Sequence, residues 1–306
     1  MAEEKRLLSG LIIKSQSGFF TVETDSESLV CQLRGRLKKG AREGDLAAIG
    51  DRVTVQPLDA SQGVITEIEP RQRMISRLAP LPRGEYQQII IANPDQAVFV
   101  FACASPAPRL RMLDRFLVIA EKQEIPALIV ANKVDLVGIE KAQALFGHYL
   151  PIGYPVIYTS AKLGLGVTEL HHCLIGKVSA LAGPSGVGKS SLLNAIQPGL
   201  GLAVEQISRA TGKGQHTTVL SELFPLNGGG YVADTPGLRA LALWDTAPEE
   251  LDGYFPELKP FVTHCQFSDC THTHEPGCAV QAAVAQNLVH PERYESYLRL
   301  RRGEEL

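Results

Sequence analysis

The sequence predicts an α/β chain in three parts: a small N-terminal β-barrel, a central domain on a parallel sheet, and a mostly helical C-terminal segment. Three observations carry this. Short strand-like runs separated by turns occupy residues 7–68; strand-like and helix-like runs alternate from residue 97 to 182; and three of the six cysteines cluster within residues 265–278, beside histidines. Strands in succession favour a barrel, whereas alternating strands and helices favour a parallel sheet covered on both faces. The expected boundaries are 1–72, 80–240 and 241–306.

The first part contains strand-like runs at 10–14, 19–23, 29–33, 52–56 and 63–68. Their number and their Ser/Gly turns fit an OB-fold, which often binds oligonucleotides, although fold alone does not establish that use. Arg34, Arg36, Lys38, Lys39 and Arg42 follow with no acid among them, and Gly35 and Gly40 are expected to keep the segment loose. A solvated loop is the plain reading of such a charge run. Arg71, Arg73, Arg77 and Arg83 fall in a proline-bounded connector, 70–84, read as a linker able to touch RNA.

In the central part, strands are expected at 97–102, 127–131, 156–158, 178–182, 219–224 and 231–233, and helices at 111–123, 139–149, 166–175 and 191–196. Gly183-Pro184-Ser185-Gly186-Val187-Gly188-Lys189-Ser190-Ser191 lies between the strand at 178–182 and the helix that follows. Glycines there let backbone N–H groups converge on phosphate oxygens, and the helix N-terminus adds positive potential. Lys189 would reach the β- and γ-phosphates and Ser190 would meet Mg²⁺, which keeps most of its water. The same spelling is also typical of nucleoside-monophosphate kinases.

Three further stretches separate these readings. Asn132-Lys133-Val134-Asp135 follows a strand, and a carboxylate at Asp135 can accept from the N1–H and 2-amino group of guanine, a donor pair that adenine lacks. Lys133 can lay its stem along the base. Thr159-Ser160-Ala161-Lys162 would bring the Ala161 N–H to the guanine O6, and Asp234-Thr235-Pro236-Gly237 would supply a carboxylate near Mg²⁺ and a Gly237 N–H near the γ-phosphate. A kinase has no use for NKxD or DTPG, so the four together specify a guanine-nucleotide site.

Most small GTPases place the phosphate loop first, but here the base-reading segments at 132 and 160 precede the loop at 183. The central domain therefore resembles the circularly permuted P-loop GTPases. With the barrel before it and the Cys/His cluster after it, essentially the whole chain resembles the RsgA (YjeQ) family of small-ribosomal-subunit assembly GTPases. The resemblance implies GTP and GDP as ligands, the small (30S) ribosomal subunit and its rRNA as partner, assembly factors as neighbours, and hydrolysis late in subunit maturation. It also favours the basic segment at 34–42 as an rRNA phosphate contact.

Residues 208–218 are polar and glycine-rich, as a mobile switch should be; a switch threonine, Thr217 or Thr218, would meet Mg²⁺ and the γ-phosphate only in the GTP state. Leu238 stands where Ras-like enzymes carry the glutamine that orients the attacking water, so slow intrinsic hydrolysis is expected until a partner completes the site. His216 is the nearest candidate for that task, and the resemblance also favours it. A GTP-gated RNA-binding module without useful turnover is the competing reading, and a GTPase acting on tRNA or a membrane is a third.

Cys265-x4-Cys270-x-His272-x5-Cys278 suits tetrahedral Zn²⁺ with no position left open, a structural site. His264 and His274 are alternatives by spacing; the resemblance selects His272. A helix at 279–289 would dock on the metal-held segment. A last helix over 291–306 carries Arg293, Arg299, Arg301 and Arg302 among glutamates, which reads as a salt-bridged surface at least as well as an RNA contact.

The composition, 306 residues with 44% hydrophobic and 21% charged, is that of a globular protein of two or three domains. A net charge of −3 excludes a generally basic nucleic-acid binder and leaves only local patches. Met1-Ala2-Glu3-Glu4-Lys5-Arg6 carries acids and no apolar run, and no stretch is long and apolar enough to span a bilayer, so a cytoplasmic protein with no membrane contact is expected; no feature of the sequence suggests more than a monomer.

Overall fold

The computed structural model describes residues 6–38, 45–79, 86–201, 221–234 and 246–304. The chain divides into two compact units, one of Met1–Gln96, Thr168–Ala182 and Lys189–Ala240, the other of Ala97–Val167, Gly183–Gly188 and Leu241–Leu306.

In the first unit, β1 (Leu8–Gln16), β2 (Phe19–Thr24), β3 (Ser28–Leu33), β4 (Arg52–Pro57) and β5 (Gln62–Ile68) stand in the order β1-β2-β3-β5-β4, and β4 returns to β1, closing a barrel. The alternation of β3, with Leu29, Cys31 and Leu33 buried and Ser28, Val30 and Gln32 exposed, is the period of a strand with one face on the core. All of the pairs are antiparallel except β3 with β5, as in the expected OB-type barrel.

The connector at 70–84 is more than a linker. β6 (Met74–Ala79) pairs antiparallel with β7 (Tyr86–Ala92), and Arg71 holds the fully buried Asp51 through Nε–Oδ1 and Nη2–Oδ2 contacts of 2.7 Å each. Arg71 also donates to the carbonyls of Asp45 and Leu46, while the Ala48 N–H donates to Asp51. Arg71 is therefore a structural clamp, and Arg77 is engaged with Gln88 at 2.9 Å. Both side chains are thus engaged within the protein, and Arg83 lies outside the described residues.

The second unit opens with β8 (Gln96–Ala102), α1 (Leu110–Lys122), β9 (Ala127–Asn132), α2 (Ile139–Phe146) and β10 (Val156–Tyr158). β9 pairs parallel with β8 on one side and β10 on the other. Every residue of β8 is buried, as fits a strand covered on both faces. The helix expected to reach 149 ends at Phe146 and passes into a 3₁₀ turn, Gly147–Tyr149.

Returning to the first unit, α3 (Val167–Leu174), β11 (Val178–Ala182) and α4 (Lys189–Ile196) lead to β12 (Ser221–Glu222), β13 (Phe224–Pro225) and β14 (Tyr231–Asp234). The single strand expected at 219–224 is in fact split: β12 extends the barrel by pairing with β1, and β13 pairs antiparallel with β14, which runs parallel to β11.

The second unit ends in a 3₁₀ helix (Pro248–Tyr254), α5 (Lys259–Val262), α6 (Ala279–Ala285) and α7 (Pro291–Arg301). Leu251, Phe255, Leu258, Val280, Val289 and Tyr297 form a core with Val118 of α1. Arg299 and Arg302 make the expected surface ion pairs with Glu295 and Glu304. Arg293 contradicts the surface reading: it is 1% exposed and paired with Asp114 and Glu257. Among the described residues no helix is long and apolar enough to cross a membrane.

Replacing Arg71 by leucine would leave the Asp51 carboxylate buried with no countercharge. Loss of one partner of a buried pair costs about 3–5 kcal/mol. Urea unfolding of R71L should show a loss of that order; a loss under about 1 kcal/mol would contradict the clamp.

Candidate functional site

In the second unit the register of β8, β9 and β10 (Ala102 beside Asn132, Tyr158 beside Ala131) brings three strand ends to one edge. Ligands of open parallel sheets bind beyond the carboxyl ends of the strands, so this is the edge from which a site is built. Asn132 is buried and spends both ends of its amide: Nδ2 donates to the Val187 carbonyl at 2.8 Å, and Oδ1 accepts from Thr159 Oγ1 at 3.1 Å. Segments 132, 159 and 187 are thereby held together.

Lys133 sits in the left-handed region, φ 64°, which turns the chain sharply into a 3₁₀ turn, Val134–Leu136. Its ammonium donates to the Gly186 carbonyl at 2.6 Å and to the Ser105 carbonyl. Val134 is buried and Asp135 is exposed. The Ser160 hydroxyl donates to Asp135 Oδ1 at 2.6 Å, and Ser160 is itself fixed by its N–H on the Leu165 carbonyl. Asp135 is thus aimed by Ser160, with Ala161 next along the chain. Cys103 lies nearby; burial first, and the Asp135 charge second, push its thiol up to about 11, so it remains neutral.

Two loop glycines are required by close approach. A Cβ on Gly183 (φ 152°) would lie 2.0 Å from the Val100 carbonyl oxygen, and one on Gly188 (φ 97°) would lie 2.5 Å from Asn132 Nδ2. Any side chain at either position would drive the loop away from the strand ends. Between them Ser185 and Gly186 are exposed, while Pro184 and Val187 are buried. Lys189, Ser190 and Ser191 open α4 directly after Gly188.

Asp234 is the last residue of β14, in register with Leu181. Gly237, Leu238 and the whole switch segment with His216, Thr217 and Thr218 lie outside the described residues. In the barrel, the segment expected to be loose begins as a 3₁₀ turn over Gly35–Lys38. Arg34 is exposed, Arg36 donates to the Thr66 carbonyl at 3.1 Å, and Lys39 and Arg42 lie outside the described residues.

The C-terminal Cys/His group converges. One ligand atom each from Cys265, Cys270, His272 and Cys278 lies within 4.8 Å of the others, and His272 Nδ1 stands 3.5 Å from Cys265 Sγ and 3.4 Å from Cys278 Sγ. Burial pushes the Cys270 thiol up to about 12, and a cation held among the sulfurs would favour its ionised form. Such a donor set could hold a tetrahedral metal. His264 and His274 point elsewhere, to Pro260 and Thr273 respectively. On the far side of the ring, His272 Nε2 meets Asp252 Oδ2 at 3.2 Å, which leaves Nδ1 facing the sulfurs. The sequence reading missed Asp252; a carboxylate behind a ligating histidine is a recurrent need, but no spacing marks which acid supplies it.

Residues 68–244 match the RsgA GTPase family and residues 9–65 the RsgA N-terminal domain. The chain is 46% identical to the "Small ribosomal subunit biogenesis GTPase RsgA" of Gemmatimonas aurantiaca, over 96% of both chains. It is 42% identical to the protein of that name in Moorella thermoacetica, over 95% of both. Among solved structures, YjeQ from Thermotoga maritima superposes with a TM-score of 0.79 at 36% identity, covering 98% of this chain and 99% of that one. YloQ, described as a circularly permuted GTPase, gives 0.75 at 31% identity, covering 99% and 97%. The permuted order of the nucleotide motifs, the closed barrel before them and the Cys₃His group after them thus accompany likeness along nearly the full length, and the chain belongs to the RsgA family of GTPases.

Proposed function

We propose that this GTPase is a switch that binds the small ribosomal subunit late in its assembly, is stimulated there to hydrolyse GTP, and leaves as the GDP form. The names of its relatives supply the small subunit. The observation that carries the nucleotide half is the arrangement of Asn132, Lys133 and Asp135 against Val187, Gly186 and Ser160.

In this reading Asp135 accepts from the guanine N1–H and 2-amino group, Ala161 donates its N–H to O6, and the Lys133 stem covers the base. The backbone from Gly183 to Gly188 surrounds the phosphates, Lys189 neutralises the β- and γ-oxygens, and Ser191 follows in the first turn of the helix. Ser190 and Asp234 would hold Mg²⁺, with Thr217 or Thr218 joining in the GTP state. Mg²⁺, when bound, offsets charge on the β- and γ-phosphates. Gly237 donates towards the γ-phosphate.

Because Leu238 cannot orient water, His216 is assigned that task once the subunit orders residues 208–218. Arg34, Arg36, Lys38, Lys39 and Arg42 contact rRNA phosphates, Arg36 from its place against the barrel. Cys265, Cys270, His272 and Cys278 hold one structural Zn²⁺, with Asp252 behind His272. The protein acts as a monomer in the cytoplasm, among other assembly factors.

On a sucrose gradient with a non-hydrolysable GTP analogue, the protein should travel with the small subunit, and less of it at higher salt, because phosphate-driven binding weakens as counterions are added. Migration with no ribosomal fraction at either salt would refute the ribosomal reading. His216→Ala should lower subunit-stimulated phosphate release by on the order of 10²-fold with GTP affinity preserved; unchanged stimulated turnover would remove His216 from the reaction. Elemental analysis should find one zinc per chain, and chelation should make residues 265–278 protease-sensitive. Full resistance after zinc has been stripped would contradict a structural site.

A further inference from the structure

Among the described residues Arg293 is the largest fully enclosed side chain, and its guanidinium lies far in sequence from the carboxylates it binds. Its Nε and Nη2 donate to Glu257 at 2.6 and 3.2 Å, and its Nη1 donates to Asp114 at 2.8 Å. The guanidinium lies over the rings of Phe255 (4.6 Å) and Tyr149 (5.7 Å). Asp114, 2% exposed, also accepts from Tyr149 (2.7 Å) and from the Ser296 hydroxyl. Burial, and after it the Asp114 charge, keeps the Tyr149 phenol protonated and donating.

Two carboxylates on one arginine is an expensive way to fix a helix, since an apolar cluster of equal volume is commonly as stable. What the ionic version adds is a directional hold on Asp114. Asp114 lies one turn into α1, and Cys103–Arg109, with Pro106 and Pro108, joins that helix to β8. Prolines restrict the conformations through which such a connection could absorb a shift of the helix. Its first residue gives its N–H to the Asn132 carbonyl at 2.8 Å; Ser105 offers its carbonyl to the Lys133 ammonium; and Pro106 packs on Gly186, where a Cβ would lie 3.7 Å from its Cδ.

We propose that Arg293 is a positioning residue for guanine-nucleotide binding: through Asp114 it sets α1 and the Cys103–Arg109 connection, and with them Asn132, Lys133 and Gly186, so that nucleotide and the C-terminal helix stabilise one another. The inference rests on the nucleotide reading above. Coupling of this kind is reciprocal: whatever α7 adds to nucleotide affinity, nucleotide adds to the ordering of α7.

Amide exchange on the full-length protein, with and without saturating GDP, tests it. GDP is expected to slow exchange both at 183–188 and at 291–301. Tyr149→Phe with Ser296→Ala, which trims two hydrogen bonds from Asp114 and leaves the ion pairs, should diminish the effect at 291–301 without removing it and weaken GDP binding by about fivefold, with the preference for GTP over ATP intact. Arg293→Lys, which keeps the charge but not the fork, should weaken GDP more than it alters that preference. Protection at 183–188 with none at 291–301, or variants that melt earlier yet bind GDP as before, would overturn the coupling. No protection at 183–188 would overturn the nucleotide reading itself, and this proposal with it.

Discussion

The amide of Asn132 is the contact on which the site depends. It is buried, it joins three stretches that the chain visits at 132, 159 and 187, and each half of it has a partner. A buried amide left half-satisfied costs more than the bond it loses, so the strand ends and the loop are held in one relation rather than a range. Chain order becomes irrelevant to such a contact. The phosphate loop can follow the base-reading motifs because the amide requires only that Val187 and Thr159 arrive at the same place. Gly188 has the complementary role: it has no side chain, and the amide occupies the space one would need.

A second constraint recurs in the buried ion clusters. Asp51 with Arg71 ties the barrel to the β6–β7 hairpin, and Arg293 with Asp114 and Glu257 ties the C-terminal helix to α1. Each joins elements that hydrophobic contact alone could let slide, and a bidentate arginine fork specifies orientation as well as proximity. The Cys/His group works at shorter range: Asp252 sets the ring of His272, Tyr294 donates to the His272 carbonyl, and Glu275 collects the N–H groups of Thr271, Thr273 and His274. That segment carries few apolar side chains, and these hydrogen bonds hold it where the three sulfurs and the imidazole converge.

The barrel strands, the alternation that builds the parallel sheet, the phosphate loop and the Cys/His cluster could all be read along the chain, because each is local; spacing did not choose His272 over His264 and His274. A strand pattern needs only its own residues, and Gly183 to Ser190 spans one turn between a strand and a helix. What could not be read was long-range. Arg293 and Arg71 look like any surface arginine until Asp114, 179 residues away, and Asp51 are brought to them. The β6–β7 hairpin was hidden by prolines and arginines that resemble a linker. The stretch expected as one strand at 219–224 divides because its two ends serve different sheets, a choice no local propensity records.

The central claim is that segments separated in the chain form a pocket selective for guanine. Titration calorimetry of GTP and ATP against the full-length protein and its Asp135→Asn variant examines this directly. The account predicts tight GTP binding and no measurable ATP binding for the unaltered protein, with the difference collapsing in the variant as the carboxylate loses its two guanine donors. Comparable affinity for both nucleotides at the start, or undiminished discrimination after the substitution, would contradict it.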